Sequence, residues 1–198
     1  MDIMKRIIII VASVCLSIMS CRQRQNQPKS THDKFNLDFE QVENGMPVGW
    51  DTKGGYDYIF SSDSNIVKSG KYSASIEMYE GTPQFGVLGL IIHNNYEGKR
   101  VTLSGYVKSE NVDDYASLLM RIDPEIGVKE VKIKGTTDWK KYEVSLKMNP
   151  RKTKAFAVGA ILVGKGKVWF DDVRICIDGK DINELESVEI ERISLLSI

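Results

Sequence analysis

Ala74, Ile76 and Met78 alternate with Ser73, Ser75, Glu77 and Tyr79. A strand sends successive side chains to opposite faces, so this period of two predicts a strand with one buried and one wet face. The same alternation sets Val101, Leu103, Gly105 and Val107 against Thr102, Ser104, Tyr106 and Lys108. It recurs where Tyr142, Val144 and Leu146 stand against Glu143, Ser145 and Lys147. Half-wet strands of this kind build antiparallel sheets. Residues 85–93 and 155–163 are apolar on both parities and rich in Gly and Ala, which predicts strands covered on both sides. Turn signals separate the runs: Asn44-Gly45, Gly54-Gly55, Ser69-Gly70, Glu97-Gly98, Gly135-Thr136, Asn149-Pro150, Gly164-Lys165-Gly166 and Asp178-Gly179. Many short strands with glycine-marked turns predict an all-β chain folded as an antiparallel β-sandwich. A weak helical face, Ile182, Leu185 and Val188, predicts a helix over 181–193.

The first residues are of a different kind. Lys5-Arg6 precede an apolar run of about 13 residues, too short to span a bilayer, that ends in Ile18-Met19-Ser20-Cys21. A positive start, a short apolar core and a small residue before cysteine read as a lipoprotein signal over residues 1–20, with Cys21 as the lipid acceptor. An ordinary secretory signal is the alternative. A lipidated Cys21 places the protein in the cell envelope, anchored to the membrane. Arg22 and Gln23, rather than an acidic cluster, follow the cysteine and favour the periplasmic side. Residues 21–34 carry no large apolar side chain to offset the entropy of ordering and are expected to form a flexible tether.

Composition removes several function classes. The formal net charge is zero, with 27 basic and 27 acidic residues, and only two histidines are present. Neither a nucleic-acid footprint nor a histidine-rich metal site is indicated. Cys15 lies in the signal and Cys21 is the lipid acceptor, so Cys176 stands alone and no disulfide framework exists. Enzyme chemistry finds no support. His32 lies in the tether, His93 has no Gly-x-Ser-x-Gly nucleophile turn to serve, and Asp123 and Glu125 flank Pro124 in a loop.

The motifs come in an order that resembles the jelly-roll carbohydrate-binding modules found beside xylanases and endoglucanases, in the galactose-binding-like superfamily. They are Asn36-Leu37-Asp38-Phe39-Glu40 with Gly49-Trp50, Ser69-Gly70-Lys71-Tyr72-Ser73, Gly105-Tyr106-Val107-Lys108, Thr136-Thr137-Asp138-Trp139-Lys140-Lys141-Tyr142 and Val168-Trp169-Phe170-Asp171-Asp172-Val173. The resemblance covers residues 35–180, leaving 181–198 as a C-terminal tail. It extends to accessory domains of Bacteroidetes-type envelope proteins, although fewer than about 20 residues follow Gly179, too few for a catalytic domain on the usual scale of domains.

The resemblance implies a non-catalytic module that binds a polysaccharide or oligosaccharide on one sheet face. It also implies a structural calcium ion held by Glu40 and by Asp171 or Asp172, with carbonyls near residues 68–71, since Ca²⁺ takes six to eight oxygens. Pairing of those carboxylates with Lys71 or with backbone amides is the metal-free alternative. Trp50, Trp139 and Trp169 are assigned to the core, Trp169 because it shares parity with Val173, Ile175 and Ile177. Ligand contact is assigned instead to Tyr79, Tyr106, Arg121 and Tyr115, with Tyr56 and Tyr58 at a rim. The competing function is a structural or protein-interaction domain that docks on an envelope protein and binds no sugar, or a remnant of a longer envelope hydrolase.

Overall fold

The computed structural model describes residues 33–124, 127–186 and 190–193. The predicted signal, Cys21 and the tether as far as residue 32 lie outside them. The strands, in chain order, are β1 (Val42–Glu43), β2 (Met46–Pro47), β3 (Asp51–Gly54), β4 (Ile59–Asp63), β5 (Ser73–Met78), β6 (Phe85–Asn94) and β7 (Arg100–Asp123). There follow β8 (Gly127–Glu130), β9 (Ile133–Lys147), β10 (Ala155–Val163), β11 (Gly166–Ile177), β12 (Lys180–Asp181), a 3₁₀ turn (Ile182–Glu184) and β13 (Ile190–Ile193). Every pairing among them is antiparallel, as the alternation predicts.

The long β7 belongs to both layers of the sandwich. Its first half pairs with β11 and β9, giving the order β4-β5-β11-β7-β9. Its second half pairs with β10 and β8, and β10 continues to β6, whose far edge is shared by β3 and β13. Between the halves the register with β9 slips repeatedly, and Asn111 takes a left-handed φ of 52°. Such irregularities bend a strand, and here they carry β7 from one sheet to the other. The inward faces share one core: Ala74, Ile76, Val107, Val168 and Phe170 from the first sheet meet Leu88, Leu90, Met120, Phe156 and Val158 from the second. Trp50 closes one end against Phe39, ring centroids 4.8 Å apart, and its indole N–H donates to the carbonyls of Phe35 and Asn36.

The structure corrects the sequence reading in several places. In place of a helix over 181–193 it has the short 3₁₀ turn and then β13, which pairs Ile190 with Asn94 and Ile193 with Ile91. An open edge on β6 supplies ladder partners that outweigh a weak helical pattern. Residues 190–193 of the segment left as a tail are thus built into the second sheet. At the other end the fold begins before residue 35, because the Asp33 carboxylate accepts the amides of Phe35, Leu37 and Asp38. Lys34 ties this start to the 3₁₀ turn, its amide donating to Asn183 Oδ1 and its ammonium to the Leu185 carbonyl. Burial, ahead of any neighbour, raises the Asp33 carboxyl above the usual aspartate range despite these amides.

The parity argument for Trp169 also fails. The register of β11 against β7 shifts between Asp171 and Arg174, and Asp172 has a φ of 50°. This bulge puts Val168 and Phe170 in the core before it and Val173, Ile175 and Ile177 after it. Trp169 therefore faces away from the core, and it is 3% exposed only because other outer-face groups cover it. Trp139 is half-buried and also outside the core cluster.

Candidate functional site

The proposed ligand residues divide between the two outer faces. Tyr106 and Tyr79 belong to the first sheet. Tyr106 pairs with Asp171, and Lys68 caps its ring at 4.7 Å from the centroid. Tyr79 follows β5 beside Glu77, Glu110 and Lys167; burial, then the two carboxylates, raise its phenol. The rest of this face is occupied by its own side chains. Lys167 reaches Glu77 at 2.7 Å and Asp63 at 3.8 Å and lies 5.0 Å from the Trp169 ring, while the Trp169 indole donates to Asp63 at 2.8 Å.

Burial works to lower the Lys167 ammonium but is outweighed by its hydrogen bond to Glu77 and the charges around it, so its pKa is raised. For Asp63, burial works upward and is outweighed by Trp169, the amides of Asn65 and Ile66, and Lys167, so its pKa is lowered. The Lys167 contribution to stability is thus fully present below the ordinary lysine value and lost as pH rises through its folded value. That of Asp63 is present above the ordinary carboxylate value and lost as pH falls. Lys167→Met, which leaves Glu77 and Asp63 without their cation, is expected to lose about 1–3 kcal/mol at neutral pH and to show a shallower alkaline decline. Urea midpoints across neutral and alkaline pH check this; equal slopes in both proteins would contradict it.

Tyr115 and Arg121 lie together on the outer face of the second sheet. Reading across the strands, its rows are His93, Ala155 and Asp123; then Ile91, Ala157 and Arg121; then Asp51, Gly89, Gly159 and Leu119. Beyond them come Lys53, Val87, Ile161 and Ser117, and last Phe85, Val163 and Tyr115. At about 3.3 Å per residue the face runs roughly 26 Å from Phe85 to His93. Its central row has no side chain at Gly89 and Gly159, and these two glycines, like Ile91 and Ala155 of the neighbouring rows, are buried. A Cβ on Gly159 would lie 2.5 Å from the Leu88 carbonyl oxygen, and one on Gly89 2.7 Å from that of Val158, so the close approach of β6 and β10 requires glycine at both positions.

Polar groups border this floor. Arg121 donates to Asp123 Oδ2 through Nη2 at 2.8 Å and Nε at 3.3 Å, both side chains retaining exposure to solvent. His93, half-buried, sits in the row of Asp123. At the other end Lys132 lies 3.9 Å from the centroid of the Tyr115 ring, and Phe85 is exposed. The arrangement offers a flat floor, two aromatic rings and a paired cation and anion, which suits a ligand with an apolar face and several hydroxyls. Sequence reasoning missed Phe85 and His93 here, since which parity faces outward depends on register. Of the rim residues, Tyr56 is fully exposed, whereas Tyr58 is buried and its hydroxyl donates to the Gly164 carbonyl at 2.9 Å while accepting the Gln84 amide.

The predicted calcium ligands are arranged differently from a cation cage. Asp171, 0% exposed, accepts the amides of Lys68 and Ser69 at 2.8 and 2.9 Å on Oδ2 and that of Asp172 on Oδ1. Burial, ahead of these amides, raises its carboxyl above the usual range. Glu40 Oε1 accepts the amides of Lys71 and Tyr72, and Gly70, with a φ of 66°, passes so close that a Cβ would sit 2.0 Å from that oxygen. Asp172 is exposed on the bulge. Among the described residues no group of three or more acidic, His or Cys side chains gathers to hold a metal. The loop thus presents N–H donors to both carboxylates, where a calcium ion needs oxygens. These residues, as arranged, fit a hydrogen-bonded clamp and do not fit the ion.

No family profile matches the chain. An uncharacterized HTH-type transcriptional regulator of Bacillus subtilis, YbfP, is 30% identical over 137 residues, 63% of this chain and 46% of that protein. The chain thus spans about half the length of the curated relative it matches. Among solved structures, TmCBM61 in complex with β-1,4-galactotriose aligns with a TM-score of 0.54 and 16% identity over 72% of this chain and 95% of that one. A structure of promiscuous carbohydrate-binding modules of the β-sandwich superfamily aligns at 0.50 with 14% identity, over 74% and 63%. The enzymatically active domain of a bacteriophage CBA120 tailspike aligns at 0.52 with 12% identity, over 71% of this chain and 21% of that one. The fold is that of the jelly-roll carbohydrate-binding modules, as the sequence motifs predict.

Proposed function

We propose that this domain is a non-catalytic saccharide-binding module whose site is the outer face of the second sheet. The observation that carries the proposal is the glycine and alanine floor (Gly89, Gly159, Ala157, Ala155) bordered by Arg121, Asp123 and His93 at one end and by Tyr115 and Phe85 at the other. A sugar ring set on such a floor turns its C–H face to the sheet and its hydroxyls to the Arg121–Asp123 pair. The shared fold with modules that bind saccharides supports the same reading. Lipidation of Cys21 would hold the module on the membrane within the envelope, beside any protein partner there. The match to YbfP involves 137 residues, and the described residues of this chain contain no helix beyond one 3₁₀ turn.

The test is a titration of galacto-, xylo- and gluco-oligosaccharides into the wild-type protein and into Arg121→Ala and Tyr115→Ala. Each variant is expected to keep its melting temperature and to bind at least about tenfold more weakly, a loss of about 1.4 kcal/mol. Wild-type affinity in both variants would move the site elsewhere. A wild-type protein that binds none of these sugars would favour the protein-interaction domain.

A further inference from the structure

The first sheet ends in a long strand with an unused edge. β9 pairs with β7 on one side along its 15 residues, and among the described residues no strand pairs with its other side. The Met148 amide donates to the Lys99 carbonyl at 2.8 Å, and the pairing continues with Leu146 opposite Val101, Val144 opposite Leu103 and Tyr142 opposite Gly105. Along an antiparallel strand, residues whose N–H and C=O face the partner alternate with residues whose groups face away. The backbone groups of Lys141, Glu143, Ser145 and Lys147 therefore point to the open edge.

Charge selects what fits there. Residues 129–154 hold nine lysines and arginines against Glu130, Asp138 and Glu143, in a chain of zero net charge. Two of these carboxylates are engaged, Glu130 by Lys132 at 3.5 Å and Asp138 by Lys108 at 3.0 Å. Lys140, Lys141 and Lys147 are exposed and pair with no carboxylate among the described residues. Lys141 and Lys147 lie on the outer parity of β9, while Tyr142 and Leu146, on the other parity, pack half-buried against the core. Lysines on an edge repel a second copy of the same edge and admit a strand of opposite charge.

We propose that the open edge of β9 docks an extended acidic segment of a partner protein, which adds as a further antiparallel strand. Acidic side chains of that segment lie beside Lys141 and Lys147, and apolar ones beside Tyr142 and Leu146, where they extend the core. Main-chain hydrogen bonds supply affinity in this mode and the alternate side chains supply specificity. The surface belongs to the first sheet and is independent of the saccharide site.

The probe is the capped, fluorescein-labelled peptide Glu-Val-Thr-Val-Thr-Val-Glu, titrated into the full chain at low ionic strength and read by fluorescence anisotropy. In antiparallel register its glutamates fall opposite Lys147 and Lys141, and the amides of its Glu and Thr residues face β9. N-methylation of those amides is expected to weaken binding at least tenfold, whereas N-methylation of the valine amides leaves it unchanged. Lys141→Glu combined with Lys147→Glu is expected to bind the unmodified peptide at least tenfold more weakly at unchanged melting temperature. Glu143→Pro removes one outward amide while making the edge more basic, a change an edge strand tolerates, and is also expected to weaken binding. No binding to the wild-type protein would overturn the proposal. Equal affinity for the two N-methylated peptides would overturn it as well, and with a loss in the charge-reversed variant would mark a site for polyanions such as an acidic polysaccharide.

Discussion

Gly159→Ala is expected to destabilise the domain by about 3 kcal/mol or more, a large value for the addition of one methyl group. The new Cβ would meet the Leu88 carbonyl oxygen at 2.5 Å and the Gly89 Cα at 2.8 Å, and both are backbone atoms. A flexible side chain can swing aside, whereas a backbone atom moves only with its strand. β6 and β10 would have to separate where Gly159 and Gly89 are paired, and the core contacts of Leu88, Leu90, Val158 and Ala160 on the inner side would loosen with them. Gly135→Ala is the control: its Cβ meets nothing within 4 Å, so only the cost of its left-handed φ of 70° remains. Urea unfolding of both variants checks the comparison, and a Gly159→Ala midpoint no lower than that of Gly135→Ala would refute the crowding argument.

Asp171→Ala is expected to cost about 2–3 kcal/mol, the scale for leaving buried donors without their acceptor. It leaves the amides of Lys68 and Ser69 without their acceptor and frees the 66–72 loop from the sheet. Asp171→Asn retains one carbonyl oxygen and is expected to cost roughly half as much. Because amides occupy both carboxylates, a chelator is expected to leave the melting temperature of the wild-type protein unchanged. A chelator-dependent melting temperature, lost in Asp171→Ala, would restore the calcium ion that the sequence motif suggests.

The fold was largely legible because an alternation of apolar and polar residues is a local property. Ala74, Ile76 and Met78 fall inside, as do Val101, Leu103 and Val107, where their parity puts them. The glycine turns at Gly45, Gly70, Gly135, Gly164 and Gly179 all take positive φ. Trp169 was misplaced because a bulge two residues later reverses parity, and only the left-handed Asp172 marks it. The helix expected over 181–193 gave way to β13 because the free edge of β6, about 100 residues earlier in the chain, provides ladder partners that no local window contains.

The candidate site was legible in part. Arg121, chosen for its wet parity, and Tyr115, chosen as a residue near a loop, share a face, while Tyr79 and Tyr106, chosen for wet parity like Arg121, lie on the opposite sheet. The alternation of side chains determined by itself that the chain is an antiparallel β-sandwich and which face of each regular strand turns to the core, because a strand's period of two is set by its own backbone. It did not show that Ser73 and Ser75, expected on a wet face, are covered by neighbouring strands' outer-face groups and buried. The tertiary structure alone decided which strands share a sheet, which outward side chains meet across it, and that Asp171 and Glu40 receive amides. Those outcomes depend on register and on the bend of β7, and these are set by contacts between residues far apart in the sequence.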